Sequence, residues 1–333
     1  MLKQPSQNQK STVLVLMGGP DAEREVSLHS GSEVAAALRA SGKFNVVDRV
    51  IDKPDLCELL ALASSTQANV IFPVLHGHWG EGGPLQELLE KTGLPYVGCK
   101  PQAARLAMDK LITKSLLSEM GVPTPPSRQL MPDDVCDLAP PLVLKPVDDG
   151  SSVDLRICST AAEVELARKE LHTKRGRLMA ERYIKGREIT VGVLCGQTLP
   201  LIEILPAVEF YVYEAKYNRD DTRYVIDPVL PPGVAEQCTR IAMTAFNRLG
   251  CRDIARADIM LDGEGHPWFL EINTMPGFTT HSLVPMAARK TGLQMPDLCA
   301  RLVETALARR PAGLSEVAGS PEGHARPRAA GTH

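Results

Sequence analysis

The chain has 333 residues, 44% hydrophobic, 23% charged and 4% aromatic, with a formal net charge of −3. This length exceeds what one core sustains and predicts two or three packed domains; the sparse aromatics argue against a nucleic-acid stacking surface, and the slight acidity means that an anionic ligand must be met by locally placed Lys, Arg and backbone N–H groups. Eight cysteines without a C-x-x-C pair indicate neither a zinc site nor a disulfide framework and fit a reducing cytoplasm, while a polar first ten residues and no apolar run near ~18 residues predict neither secretion nor a membrane span.

In chain order, Val13 to Met17 form an apolar run ending at Gly18-Gly19, followed by the helical spacing of Leu28, Gly31, Val34, Ala35 and Leu38. Ser30-Gly31-Ser32-Glu33 fits a capping box, a short and often fortuitous pattern. A second run, Val70 to Leu75, stops at His76-Gly77, and a helical stretch from Leu85 to Leu89 follows a glycine-rich loop. Alternating strands and helices predict a parallel α/β sheet over the first hundred residues. A continuous helix is expected from Ala103 to Met120, then a breaker-rich segment and a strand at Leu142 to Pro146. Strands at Ile189 to Leu194 and Leu199 to Ile204, a polar tyrosine-containing loop, a helix from Val234 to Leu249 and a hairpin turning at Asp262-Gly263 predict an α+β lobe. The expected division is 1–101 for an N-terminal α/β domain, 102–186 for a central lobe, 187–312 for a C-terminal lobe and 313–333 for a disordered tail.

The hairpin carries the strongest chemical signal. With Asp262 paired to Gly265, Arg256 falls opposite Glu271, Asp258 lies diagonally from it, and Asn273 shares the face. A lone Arg and Glu pair on a hairpin is an ordinary surface salt bridge. Two carboxylates, an amide oxygen and a guanidinium beside an apolar strand read better as a metal and phosphate site, because Mg²⁺ takes hard oxygen ligands together with nucleotide phosphates.

Lys145-Pro146 ends a strand and is followed by Asp148-Asp149-Gly150-Ser151-Ser152, small residues whose N–H groups suit a phosphate-cradling loop. Alone this loop is an ordinary turn. The chain contains neither G-x-x-x-x-G-K-[ST] nor G-x-G-x-x-G, which disfavours a P-loop NTPase and a Rossmann dehydrogenase. Glu181 and Glu188 flank an interlobe connection and could accept from an adenine amine or ribose hydroxyls, although surface glutamates are common. His76 and His78 have no third ligand at a recognisable spacing, so substrate binding is expected for His76 and solvent exposure for His78.

Taken in order, GGPDAEREVSLHSG, LHGHWGEGGPLQ, MDKLITK, LVLKPVDDGSSV, EAKY, RADIML and EINTMPGFTTHSLVP make the chain similar to the D-alanine:D-alanine ligase family, a branch of the ATP-grasp fold, from residue 13 to about 308. The resemblance implies three lobes, an N-terminal parallel-sheet domain before the two ATP-grasp lobes, and ATP held between the latter. It implies that Glu23 holds the ammonium of the first D-alanine and His76 contacts its carboxylate. Lys110 and Lys145 would bind ATP phosphates, Lys216 the γ-phosphate, and Glu181 and Glu188 adenine and ribose. Ser151 and Tyr217 would join Glu23 in a hydrogen-bonded set closing a loop at residues 211–227 over the site, excluding water from an acylphosphate intermediate.

By the same resemblance, Asp258, Glu271 and Asn273 would bind two Mg²⁺ (or Mn²⁺) ions. Arg256 and the N–H of Gly277 would stabilise the oxyanion, and Ser282 with Leu283 would hold the second D-alanine. A homodimer is also implied, with no nucleic-acid or membrane partner. The family usually has glycine where this chain has Asp154, an added carboxylate near the phosphate loop that could repel ATP unless turned outward. Tyr217 favours D-alanine over D-lactate as second substrate. The competing readings are a depsipeptide-forming ligase and a non-catalytic ATP-grasp binding protein, the latter marked by loss of a metal ligand or the oxyanion arginine.

Overall fold

The computed structural model describes residues 10–150, 154–205 and 222–309. Its first unit is a parallel sheet of order β2-β1-β3, built from β1 (Thr12–Gly18), β2 (Asn45–Ile51) and β3 (Val70–Pro73). Side chains alternate along β1. Val13, Val15 and Met17 meet Val34, Ala35 and Leu38 of α1 (Arg24–Ser41) on one face, and Leu14 and Leu16 meet Leu59 of α2 (Leu56–Ser65) on the other. Burial on both faces explains why this strand is apolar throughout rather than alternating.

The serines of α1 do not cap it. Glu23 is the N-cap, and Ser30 lies inside the helix, where its Oγ accepts from the Phe278 N–H at 3.2 Å. Ser27 likewise accepts from the Gly18 N–H at 2.8 Å. Both serve backbone groups of neighbouring segments, so the expected capping box is corrected to a tertiary contact.

After β3 come α3 (Gly77–Glu81) and α4 (Pro84–Thr92). The helix expected from Ala103 to Met120 is two helices, α5 (Pro101–Met108) and α6 (Lys110–Ser118). Asp109 breaks it by taking an extended ψ and accepting from the Ile112 N–H at 2.9 Å, the N-cap geometry that restarts the chain in a new direction.

A four-stranded antiparallel sheet of order β4-β7-β5-β6 follows, from β4 (Ser127–Leu130), β5 (Leu142–Pro146), β6 (Arg156–Cys158) and β7 (Leu178–Arg182), with α7 (Ala161–His172) packed on it. The third sheet, of order β11-β10-β8-β12-β13 with β9 on β8, uses β8 (Gly186–Leu194), β9 (Gln197–Thr198), β10 (Ile202–Leu205), β11 (Arg223–Ile226), β12 (Ile254–Asp262) and β13 (Pro267–Asn273). The strand expected from Leu199 starts only at Ile202, and Pro200, which lacks an N–H, lies in the gap. Part of the expected loop at 211–227 is instead β11, paired antiparallel with β10.

One face of the third sheet, with Val191, Ala257, Ile259 and Phe269, is covered by α8 (Val234–Arg248) and also by α5 and α6. α9 (Leu283–Lys290) and α10 (Met295–Ala308) close the described chain. They pack into the same core as α1 and β3, where the Phe72 and Phe278 rings meet edge to face at 5.5 Å. The N-terminal sheet is thereby tied directly to the segment that follows β13. No described helix is long and apolar enough to cross a membrane. The tail from 313 onward lies outside the described residues.

Candidate active site

The apolar face of β8, β12 and β13 fixes what the other face offers. With Ala255, Ala257, Ile259 and Leu261 turned into the core, Arg256 and Asp258 must point the opposite way. The register differs from expectation. The Asp262 N–H bonds to the His266 carbonyl, not across to Gly265, and Gly265 takes φ +85° inside the turn. This loop is one residue longer and by itself would send Glu271 to the apolar face. A β-bulge between Asp258 and Ile259, where Leu270 is the extra residue, restores the phase. Asp258 therefore faces Glu271 directly, and Arg256 faces Asn273.

Arg256 grips Asp258 with two parallel bonds, Nε to Oδ1 at 2.9 Å and Nη2 to Oδ2 at 2.8 Å. Asn273 Oδ1 accepts from the Met275 N–H at 2.9 Å. Glu188 lies on the same face, opposite Met260.

A second group approaches from the central sheet. In β5 and β7, Leu144, Leu178 and Ala180 face the small core under α7, so Lys145 and Glu181 point away from it together. Lys145 Nζ donates to Glu181 Oε1 at 2.6 Å, and Lys114 Nζ pairs with Glu181 Oε2 at 2.7 Å. Burial opposes the charge on Glu181, but the two lysines outweigh it and hold the carboxyl below its usual range. Burial works against charged Lys145 too, and Glu181, Glu271 and Glu188 outweigh it, raising the ammonium's pKa. Lys110, one turn before Lys114 on α6, lies 3.5 Å from Glu271 Oε2 and donates to the Asp149 carbonyl. Lys110 and Lys145 thus flank the carboxylates of the hairpin face.

The third group comes from the N-terminal sheet. Glu23 is buried at the start of α1, close enough to the phosphate-loop region that a Cβ on Gly150 would lie 3.1 Å from its Oε2. His76 caps α3 and is buried; desolvation, with Arg256 adding to it and the Met275 backbone opposing it, pushes its pKa down to about 4. The ring is neutral near pH 7 and offers an N–H donor, not a cation. Its Nε2 has no hydrogen-bond partner among the described residues, a buried polar atom suited to a ligand oxygen.

Glu81, five residues on, was not singled out from the sequence. Its carboxylate accepts from the Gly77 N–H at 3.3 Å and the Met275 N–H at 3.1 Å, joining the His76 loop to the segment after β13. Burial and the neighbouring Glu23 push its pKa well up. In that segment Gly277 packs so closely that a Cβ would lie 2.9 Å from Ser282 Oγ. Ser282 is the residue before α9 and accepts from the Thr279 N–H at 2.9 Å, and Leu283 opens the helix.

Lys114 was also missed, although its position four residues after Lys110 places both on one helix face. Asp154 has φ +56°, a left-handed backbone that glycine adopts freely and that aspartate tolerates. Its carboxylate is tied to Arg175 Nε at 2.7 Å, and the same guanidinium pairs with Asp149 at 2.7 Å. The added charge is thus compensated locally. Ser151, Lys216 and Tyr217 lie outside the described residues.

The donor set on the hairpin face is all oxygen. Among the described residues no group of three or more His, Cys, Asp or Glu side chains is placed to hold a metal unaided. Two carboxylates and an amide match a hard cation that completes its shell with phosphate oxygens and water, so the residues present fit Mg²⁺ or Mn²⁺ bound with a nucleotide.

Models of the D-ala D-ala ligase C-terminus and N-terminus match residues 126–304 and 55–99. The chain is 41% identical to a D-alanine--D-alanine ligase of Bordetella avium, over 88% of this chain and 93% of that protein. It is 42% identical to one of Marinobacter nauticus, over 89% and 91%. A crystal structure of D-alanine--D-alanine ligase from Bacillus anthracis complexed with ATP superposes with a TM-score of 0.78 at 31% identity, covering 91% of this chain and 99% of that one.

Proposed function

The chain belongs to the D-alanine–D-alanine ligase family and has its ATP-grasp fold, and on that basis we infer how its own residues carry out the reaction. It is an ATP-dependent ligase that joins two D-alanine molecules for peptidoglycan synthesis. The observation that best supports a catalytic role for the site is the in-register face of Arg256, Asp258, Glu271 and Asn273 flanked by Lys110 and Lys145.

A carboxylate is a poor acyl donor, so the first D-alanine is activated by transfer of the γ-phosphoryl group of ATP, with ADP leaving. The amine of the second D-alanine then attacks the acylphosphate carbon and expels inorganic phosphate. Such chemistry asks the protein for alignment and charge stabilisation. In our assignment Glu23 takes the ammonium of the first D-alanine, and neutral His76 donates to its carboxylate. Lys110, Lys145 and Lys216 meet the phosphates, and Glu188 the ribose. Glu181, which the resemblance assigns to adenine, has an ion pair with a lysine on each carboxylate oxygen, and we reassign it to act on the nucleotide through Lys145.

Arg256 and the Gly277 N–H stabilise the tetrahedral oxyanion, Ser282 and Leu283 hold the second carboxylate, and Ser151 and Tyr217 complete the set around Glu23. Asp258, Glu271 and Asn273 would hold Mg²⁺ or Mn²⁺, two ions, which when bound spread the charge of the transferred phosphoryl group. The first D-alanine is assigned to the N-terminal domain, 1–101, and the nucleotide to the lobes 102–186 and 187–312, the latter also carrying the metal ligands and the residues for the second D-alanine. Cytoplasmic residence and a homodimer complete the proposal.

The test is ADP release by the purified protein with Mg-ATP and D-alanine, L-alanine, D-alanine plus D-lactate, or no amino acid, with mass detection of product. Turnover stimulated by D-alanine alone, yielding the dipeptide, is expected. ADP release indifferent to D-alanine would remove the reading, and a depsipeptide product would replace it with the D-lactate alternative.

A further inference from the structure

Glu181 is a fully enclosed carboxylate bound by two ammonium groups, and only one of those lysines is assigned to the nucleotide. The side chains of Lys114 and Glu181 are each 3% exposed, against 10% for Lys145. Lys114 reaches Glu181 Oε2 at 2.7 Å and the Phe269 carbonyl at 3.3 Å, while Lys145 holds Oε1 at 2.6 Å. Two cations and one anion leave this trio a net charge of +1. Without Lys114 the remaining pair would be neutral, and Lys145 would have its charge cancelled by Glu181 at contact distance in a site of weak screening.

We propose that Lys114 is a positioning residue for the nucleotide: by occupying the second oxygen of Glu181, it leaves the positive charge of Lys145 available to ATP phosphates. The Phe269 carbonyl belongs to β13, two residues before Glu271, so the same ammonium fixes α6 and β7 against the strand that carries the candidate metal ligands. Burial, with Lys145 adding to it, outweighs Glu181 and Glu271 and lowers the ammonium's pKa. The inference rests on the assignment of Lys145 to ATP.

The experiment uses the full chain and four proteins: wild type, Lys114→Met, Lys114→Arg and the double variant Lys114→Met with Glu181→Gln. Titration calorimetry with ATP gives Kd, and ADP release gives KM for ATP and for D-alanine. Lys114→Met is expected to raise Kd and KM for ATP about tenfold, the equivalent of one charge-assisted contact, and to leave KM for D-alanine unchanged. Lys114→Arg should recover most of the loss. The double variant, in which Lys145 again carries an uncancelled charge, should bind ATP more tightly than Lys114→Met; a merely structural lysine would not give this recovery.

Unchanged ATP affinity in Lys114→Met, or a defect undiminished in the double variant, overturns the proposal. Should Lys114→Met not fold, Lys114→Gln removes the charge while keeping a donor for Glu181, and the same comparison applies. Wild-type turnover is measured first: absence of D-alanine-dependent ADP release counts against the ligase reading, whereas the ATP titrations still decide the role of Lys114.

Discussion

Asp258 lies directly across the β12–β13 ladder from Glu271, and this pairing exists because the bulge at Leu270 offsets the one extra residue in the Asp262–His266 turn. Both carboxylates sit on the face opposite the α8 core, so changing one need not disturb the packing of the hairpin. Glu271→Gln keeps the shape and removes the charge. It should lose nearly all turnover, measured as ADP release with D-alanine, while its thermal unfolding midpoint stays close to wild type; normal activity in this variant would remove the metal assignment.

His76 sets a pH dependence of stability. Its pKa falls from 6.5 to about 4 on folding, because burial penalises the imidazolium. The depressed value means that its contribution is fully present above pH 6.5 and is lost as pH falls through the folded value. The loss amounts to about 3 kcal/mol over that window, an order-of-magnitude figure. Urea unfolding of His76→Asn between pH 7 and about pH 4 should show a flatter stability profile than wild type; parallel profiles would show that His76 does not titrate with folding.

Arg175 offsets two carboxylates beside the phosphate loop, Asp149 and Asp154. Arg175→Ala should raise KM for ATP by about threefold to fivefold, the scale of partly exposed ion pairs. Adding Asp154→Gly to it should reverse part of that rise, since glycine also suits the φ of +56° at this position. If the double variant is as impaired as Arg175→Ala alone, Asp154 is not the source of the repulsion.

Phe72 and Phe278 join the N-terminal sheet to the segment carrying Gly277 and Ser282. Phe72→Ala should cost about 3 to 5 kcal/mol in denaturant unfolding, as large-to-small changes of buried aromatics do. Its KM for D-alanine should rise more than its KM for ATP, because the loosened contact lies on the amino-acid side of the site. Equal changes in both constants would count against that placement.

The sequence carries the periodicities and most of their consequences. The apolar runs at β1 and β3, the helix spacing of α1 and the alternation of the β12–β13 hairpin are local patterns, because side-chain direction follows the backbone period within a single element. That is why Arg256 could be placed with Asp258, and Glu271 with Asn273, from the sequence alone, whereas the two pairs share a face only because the bulge offsets the longer turn. The break at Asp109 and the turn and bulge that set the register are local but leave no periodic mark, and the structure alone decided them. It also settled what depends on residues far apart in the chain, namely the use of Ser30 by the Phe278 N–H, the compensation of Asp154 by Arg175, the burial of Glu81 against the Met275 N–H and that of Lys114 against Glu181. A buried charge is tolerated only where distant segments supply its counter-charge and hydrogen bonds, and no local pattern in the sequence specifies which segments those will be.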